Sequence, residues 1–426
     1  MQNGNIFEVT VVAISLLILC LSYLLIVRKD KSWINWSTPS FVLSIGMRYV
    51  FQFIYLFVEG DPGGSRYAYC FCYAAYALSF LSAALVYAYI KPIKLRPPRV
   101  RTPGQSIRLL SWVLLLIGIL LYLPILIEFR AYLTEPRTIY AMTRIGYGPL
   151  FFGSTLFSTL GFVTHLFYKE KSILGAISFY ILCATLTLWH GSKGQLLNYL
   201  LIWMLYRVYV DRKKVSALAA ISVVGIAGIL TIGSFALFSS AADIYELLNS
   251  LTGYADAARN AMLVIDDPRA DSHFGELTVG NEIYSRIPRA LMPSKPTDYG
   301  DFALAKKYDP SQYRGAEGAP NYDIGVTYSD FGPFAIIYLC ITSAVMAWLV
   351  SIFATNFRQG PTPGKFIIFI FLAGVNVIPI SGVFFLPETM LIAGVLSLAL
   401  RIRVARAGAA LGHGGSCSSD ITPLYN

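Results

Sequence analysis

The side chains best suited to chemistry in this chain are cations in unusual places. The stretch "YSRIPRALMPSKP" (284–296) holds Arg286 and Arg289 three positions apart around Pro288, with Lys295 close behind. An α turn and a polyproline II turn both bring residues i and i+3 to one side. Pro288 and Pro293 fix φ at two points of the stretch. Two guanidinium groups are therefore expected side by side. Their planar forks donate the paired, charge-assisted hydrogen bonds that phosphate accepts. The competing reading is a set of surface ion pairs to Glu282 or Asp298.

A second stretch, "FRAYLTEPRTIYAMTRIGYGP" (129–149), repeats the theme. Thr134 is placed to cap a short helix whose first turn holds Glu135 and Pro136. Arg137 and Arg144 are seven apart and share a face, and Gly146 is placed to end the helix. In "HGSKGQ" (190–195), Lys193 reads either as a phosphate ligand or as a lysine snorkelling to an interface. Its neighbour His190 reads as a base near neutral pH or as a structural imidazole. Arg48 differs from all of these. It lies in "SIGMRYVFQF", among apolar residues, where a charge costs several kcal/mol unless paired or facing water. Glu8, Gln52 and a lipid phosphate are its expected partners.

The elements that must hold these cations are apolar. Of 426 residues, 56% are hydrophobic and only 14% charged. The mean hydropathy is +0.58. That combination excludes an ordinary soluble domain. An all-α, polytopic membrane protein is expected, since about 20 apolar residues cross the hydrocarbon core. Eleven windows qualify: 6–27, 36–58, 67–90, 109–128, 150–167, 173–189, 195–210, 215–238, 334–354, 365–383 and 388–402. The prolines of "IPISGVFFLPE" make a broken or re-entrant segment an alternative near the end.

Basic loops set the expected orientation. "RKDK" (28–31), "KPIKLRPPRVRTPGQSIR" (91–108), "YKEK" (168–171), "DRKK" (211–214), "NFRQGPTPGK" (356–365) and "RIRVAR" (401–406) fall at every second connection. Lysine and arginine in short loops mark the cytoplasmic side, so the N terminus is expected outside and the C terminus inside. The expected organisation is helices 1–8 over 1–238 with a short external loop at 129–149, and a large external loop over 239–333. Helices 9–11 over 334–402 and a disordered tail over 403–426 complete it. The N-terminal segment lacks the basic region of a cleaved signal and is expected to be retained. Cys20, Cys70, Cys72, Cys183 and Cys340 fall in spans and Cys417 in the tail, which implies neither a disulfide framework nor a zinc spacing.

The loop at 239–333 is far longer than an ordinary connection. It carries fourteen Asp and Glu against eight Lys and Arg, although the whole chain has a net charge of +10. The basic excess therefore belongs to the cytoplasmic loops and not to a nucleic-acid surface. Ile244, Leu247, Leu248 and Leu251, then Tyr254, Ala258, Ala261, Met262 and Ile265, predict two helices with apolar faces. From 267 onward, the Gly, Pro, Asp and Tyr content predicts irregular structure.

With these residues in view, the chain resembles the O-antigen polymerase (Wzy-type oligosaccharide repeat-unit polymerase) family. The resemblance rests on "RIPRALMPSKPTDYG" (286–300), "HGSKGQLLNYLL" (190–201) and "NYDIGVTYSDFGPFAIIY" (321–338). It also rests on an arginine and a glycine eleven positions apart in two external loops, Arg137 with Gly148 and Arg289 with Gly300. The resemblance implies a GT-C-like glycosyltransferase architecture in the bacterial inner membrane. It implies an undecaprenyl-diphosphate-linked glycan as donor and another as acceptor, in contact with membrane lipids. A chain-length regulator and a flippase are implied partners, and neither nucleic acid, metal nor cofactor is called for. Arg286, Arg289, Lys295, Arg137, Arg144, Lys193 and Arg48 would then face the diphosphate. Asp323, Asp330 and His190, with Asp298 and Asp301 by position, are candidates to take the acceptor proton. Tyr322 and Tyr299 are candidate sugar platforms. A ligase moving glycan to lipid A core, or a flippase or transporter, are the alternatives.

Overall fold

The computed structural model describes residues 5–59, 63–94, 104–143, 146–168, 173–191, 193–223, 225, 228, 256–268, 273–284, 287, 292–311, 313, 320–357, 360–375 and 386–401. Among these the chain is helical and has no strand. Helix α1 (Asn5–Asp30) is followed by α2 (Thr38–Ser44), a π-helical segment (Ile45–Val50) and α3 (Phe51–Glu59). The bundle continues through α4 (Arg66–Tyr89), α5 (Gly104–Glu128), α6 (Pro136–Thr143), α7 (Gly148–Leu166), α8 (Ile173–Trp189) and α9 (Lys193–Tyr209). Four short helices form a cap on the bundle: α10 (Asp256–Asp266), α11 (Glu276–Tyr284), α12 (Asp301–Tyr308) and α13 (Ile324–Phe331). Then come α14 (Ala335–Asn356), α15 (Pro363–Leu372) and α16 (Leu386–Ala399).

Among the described residues, four helical stretches are long and apolar enough to cross a membrane: Ile6–Asp30, Arg66–Tyr89, Ser106–Glu128 and Ile324–Asn356. Large apolar side chains stand exposed along them, among them Leu17, Leu21, Leu116, Leu120, Ile337 and Ile341. Such continuous apolar surface is incompatible with water and suits lipid. Inside, two of the four hydrophobic clusters among the described residues are the largest. One joins α7, α9 and α15 through Phe162, Tyr199, Tyr206, Phe366 and Phe369. The other joins α1, α4 and the cap through Leu19, Tyr49, Tyr69, Tyr73, Met262 and Ile324.

Backbones approach most closely where α5 crosses α7. A Cβ on Gly161 would lie 3.0 Å from Ser111 O and 3.1 Å from Leu115 N. One on Gly118 would lie 3.1 Å from both Ser154 O and Ser158 N. Ser154 Oγ donates to Gly118 O at 2.7 Å across the same seam. In lipid, small residues of this kind let dispersion and interhelical hydrogen bonds act at short range.

Two expectations need correction. The second window is not one regular helix, because a π segment containing Arg48 interrupts it. The stretch after 267 is not irregular throughout: α11, α12 and α13 all lie there. Their starts are fixed by turns and long-range caps that local composition does not reveal. The apolar set Ala258, Ala261, Met262 and Ile265 does form one buried helical face, on α10. In the described part of the window at 365–383, α15 ends at Leu372 and is closed by Gly374 in a left-handed conformation (φ 80°). Residues 244–251, most of 215–238, "IPISGVFF" and the tail lie outside the described residues.

If the α5–α7 seam is a packing constraint, Gly161→Ala should lower stability by about 1–3 kcal/mol, the usual cost of overpacking. A thermal melt in detergent reads this. Gly225→Ala, with nothing within 4 Å of the added carbon, is the control and should leave the midpoint unchanged.

Candidate functional site

The partner of Arg48 is neither Glu8 nor Gln52 but Asp323. Arg48 Nη2 lies 2.8 Å from Asp323 Oδ1, with side-chain exposures of 33% and 14%. Tyr76 Oη donates to the other carboxylate oxygen, Oδ2, at 2.7 Å. The guanidinium also stands over the Tyr76 ring, 4.3 Å from its centroid. Arg48 Nη1 reaches Ser44 Oγ at 3.4 Å. Glu8 instead faces Arg66, at 3.9 Å. The exposures matter: the pair is withdrawn from bulk solvent, yet a third of the Arg48 side chain remains exposed. Tyr76 lies ten positions into α4, so the site sits about 15 Å along that helix from its first turn.

Each member is positioned by its surroundings. Tyr73 Oη donates to Arg48 O at 2.8 Å, holding the π segment against α4. Tyr49 Oη and Ser15 Oγ are 2.7 Å apart, and Ser15 Oγ donates to Tyr73 O at 2.8 Å, which ties in α1. On the other side, "NYDIG" (321–325) works residue by residue. Asp323 has φ 46° and ψ −121°, a conformation an L side chain rarely adopts. It occupies the corner of a turn closed by Gly325 N–H donating to Tyr322 O at 2.7 Å. Asn321 Oδ1 accepts from Asp323 N at 2.8 Å, and Asn260 Nδ2 of α10 donates to Asn321 O at 3.1 Å. Gly325 is required because a Cβ there would meet Ala261 Cα at 2.9 Å. A strained non-glycine corner costs about 1–3 kcal/mol and persists where the surroundings over-determine it.

Asp301 lies beside this turn and accepts from Tyr322 N at 3.0 Å. Burial holds its carboxyl above the ordinary range, with the nearby Asp323 charge adding to the effect and the Tyr322 N–H opposing it. Asp298 is different: Lys306 at 2.6 Å and Tyr313 Oη at 2.5 Å engage it.

The other predicted residues fall elsewhere. Asp330 is fully buried and accepts from Leu277 N at 3.0 Å and Thr278 N at 2.6 Å, so it caps α11. Tyr322 is buried against Val264, Leu277 and Leu304, which leaves no ring face open to a sugar. His190 is fully buried, 2.9 Å from Ser154 Oγ, and burial pushes its imidazole down to about 3. In that place it is neutral and out of reach of an acceptor hydroxyl. Lys295 Nζ donates to Ile287 O at 3.2 Å and lies 5.2 Å from the Tyr299 ring centroid. Tyr299 in turn packs against Tyr284 and Phe302. Arg286, Arg289 and Arg144, and the side chains of Arg137 and Lys193, lie outside the described residues. The backbones of the connections at 129–149 and 190–195 do meet: a Cβ on Gly191 would lie 2.6 Å from Pro136 O. That meeting belongs to the cluster around Tyr122, Ile125 and Ile139, apart from the one holding Tyr49, Tyr73 and Tyr76.

Sequence reasoning missed Tyr76, an unremarkable tyrosine in an apolar helix, and the anchors of α10. Asp266 Oδ2 accepts from Ser65 N at 2.5 Å, and Arg259 lies over the Tyr55 ring at 3.8 Å. Among the described residues no group of three or more His, Cys, Asp or Glu is placed to hold a metal ion.

A multi-pass helical membrane protein whose polar cap delivers a carboxylate to an arginine inside the helical bundle is the class these features define. Over 394 residues the chain is 32% identical to the O-antigen polymerase of Salmonella typhimurium strain LT2, covering 92% of this chain and 95% of that protein. The O-antigen polymerase of Salmonella typhi matches with the same identity and coverage. No family model and no solved structure matches. At that identity and coverage, the chain belongs to the O-antigen polymerases.

Breaking the Arg48–Asp323 pair from either side should cost about 2–3 kcal/mol, below the usual range for buried pairs because Arg48 is partly exposed. A double-mutant cycle on Arg48→Ala and Asp323→Ala, read by thermal denaturation, should return a coupling rather than additivity. Asp323→Gly should be about 1 kcal/mol more stable than Asp323→Ala, since glycine relieves the corner strain. Folded Asp301 binds its proton more tightly than unfolded Asp301. Stability is therefore greatest below the ordinary carboxylate range and falls as pH rises through the raised value. Asp301→Asn should thus raise the melting midpoint at pH 7, with the gain vanishing below about pH 4.

Proposed function

We propose that this protein is a glycosyltransferase that polymerises oligosaccharide repeat units carried on undecaprenyl diphosphate. It acts at the periplasmic face of the bacterial inner membrane and builds O-antigen or a similar surface polysaccharide. Its N terminus is periplasmic and its C terminus cytoplasmic, with about eleven spans in a GT-C-like arrangement. A flippase that delivers the repeat units and a chain-length regulator are its partners. Membership in the O-antigen polymerases supports the reaction class. The single observation that supports a site is the Arg48–Asp323–Tyr76 cluster at membrane depth.

The chemistry asks for two groups. The acceptor hydroxyl attacks the anomeric carbon of the donor sugar and must lose its proton. The bond to the diphosphate breaks, and negative charge grows on the leaving oxygen. Asp323 serves as the base: the Tyr76 hydroxyl aims its carboxylate, and Arg48 stands beside it. Arg48 attracts the diphosphate with the portion of its guanidinium that faces open space. Asp301 is the second candidate base, because its raised affinity for a proton moves it toward neutral pH. Arg286, Arg289, Lys295, Arg137, Arg144 and Lys193 belong to the same proposal, as a wider cationic surface drawing the lipid diphosphate to the bundle.

Complementation of a deletion strain, followed by a gel of surface polysaccharide, tests this. Asp323→Asn and Arg48→Ala should each replace the ladder by a single-repeat band. Because both also weaken the fold, the exchanged pair Arg48→Asp with Asp323→Arg is the informative arm: it should regain membrane abundance without regaining the ladder. A full ladder from Asp323→Asn would remove Asp323 as base. A full ladder from Arg289→Ala would remove the second cationic site.

A further inference from the structure

At the end of α4 opposite the cap, a cavity of about 410 Å³ opens between the ends of α1, α4, α9 and α14. Its lining includes Lys29, Lys31, Arg212, Lys213 and Lys214 against one carboxylate, Asp30. We propose that this cavity binds the phosphate of an anionic glycerophospholipid headgroup on the face carrying the basic loops.

The bland account of such a cluster is compensation of helix dipoles together with the usual basic bias of cytoplasmic loops. Magnitudes decide against it as the whole account. Each helix C-terminus carries roughly half a negative charge, so the four ends here offset about two of the positive charges. Asp30 offsets one more. A surplus of about two positive charges remains, enough for a phosphodiester.

The carboxylate is itself held by tyrosine hydroxyls. Asp30 accepts from Tyr87 Oη at 2.7 Å and from Tyr209 Oη at 2.5 Å, two tyrosines buried in the floor of the cavity. Lys29 is turned onto Tyr87, donating to its carbonyl and lying 4.2 Å from its ring centroid. Among the described residues, no carboxylate is within ion-pairing distance of Lys31, Lys213 or Lys214, and all three are exposed. Three exposed lysines, with Lys29 and Arg212 on the same rim, surround a carboxylate held by two tyrosines.

The walls are built, not loose. Trp33 N–H donates to Val215 O at 3.0 Å and Val215 N–H to Ser32 Oγ at 3.2 Å, which zips the two basic connections together. Lys31 and Arg212 each adopt a left-handed backbone (φ 55° and 57°), ending α1 and α9 so that both turns meet over the cavity. Trp36 N–H donating to Tyr209 Oη at 3.0 Å fixes the floor. A lipid is favoured over a free anion because Leu17, Leu21 and Leu24 stand exposed along α1 toward this end, giving acyl chains a surface continuous with the headgroup site.

The test is native mass spectrometry of the detergent-purified full chain with added phosphatidylglycerol, phosphatidylcholine or inorganic phosphate. Phosphatidylglycerol should be retained and phosphatidylcholine should not. Lys213→Gln with Lys214→Gln should reduce retention about thirtyfold. The same charge change made outside the cavity, Lys91→Gln with Lys94→Gln, should leave retention intact. Equal retention of both lipids, equal loss from both double variants, or displacement of the lipid by millimolar inorganic phosphate would each overturn the proposal.

Discussion

The architecture turns on one unavoidable fact, a guanidinium lodged in the middle of an apolar helix. Left alone, Arg48 would cost several kcal/mol, more than the roughly 1–3 kcal/mol of a strained turn. The chain accepts the smaller cost. It brings Asp323 in on a corner that an aspartate rarely adopts, φ 46°, and completes the arrangement with the Tyr76 hydroxyl. Everything that makes that corner possible then becomes necessary. Asn260 and Asn321 hold the turn, Gly325 lets α13 pass close to α10, and α10 must be seated on the bundle.

The cap is therefore integral to the membrane domain's stability rather than an ornament on it. Met262 and Ile265 bury into the same cluster as Tyr69 and Tyr73 of α4, while Asp266 engages Ser65 at the first turn of that helix. Asp330 has a comparable role in the next layer, its two oxygens capping α11 where no local residue does so. A carboxylate spent on two backbone N–H groups is committed to structure. One held by a hydroxyl and a partly open guanidinium is not. That contrast separates Asp330 from Asp323 more sharply than their positions in the loop.

Composition and period are the features that a sequence displays most openly. Four of the long apolar stretches, the anomalous Arg48 and the buried face of α10 are legible because hydrophobic spacing and charge in grease are local signals. The pairing of Arg48 with Asp323 is not, since 275 positions separate them and Glu8 and Gln52 are the more obvious choices. The helices after 267 are hidden for a related reason. α11 is capped from Asp330, and α12 and α13 each begin at a positive-φ corner, Gly300 and Asp323, that reads as loop. His190 and Tyr322 mislead in the opposite direction. A histidine beside a lysine and a tyrosine in a glycine-rich loop look available, and burial in the folded chain makes them scaffold.

One device occurs twice along α4. Tyr76 and Tyr87 stand eleven positions apart, close to three full turns, so they project from one face about 16 Å apart. Each gives its hydroxyl to a carboxylate and its ring to a cation: Asp323 with Arg48, and Asp30 with Lys29. The repetition has a physical logic. In both places the tyrosine adds a hydroxyl donor for the carboxylate and a ring face for the cation, so neither charge depends on a single partner. Because α4 is wedged between α1 and α14, with Ala84 fully buried between the two tyrosines' ends, both charge sites ride on one rigid helix. The geometry at the cap and the geometry at the basic face are thereby held in a single body rather than assembled from independent loops.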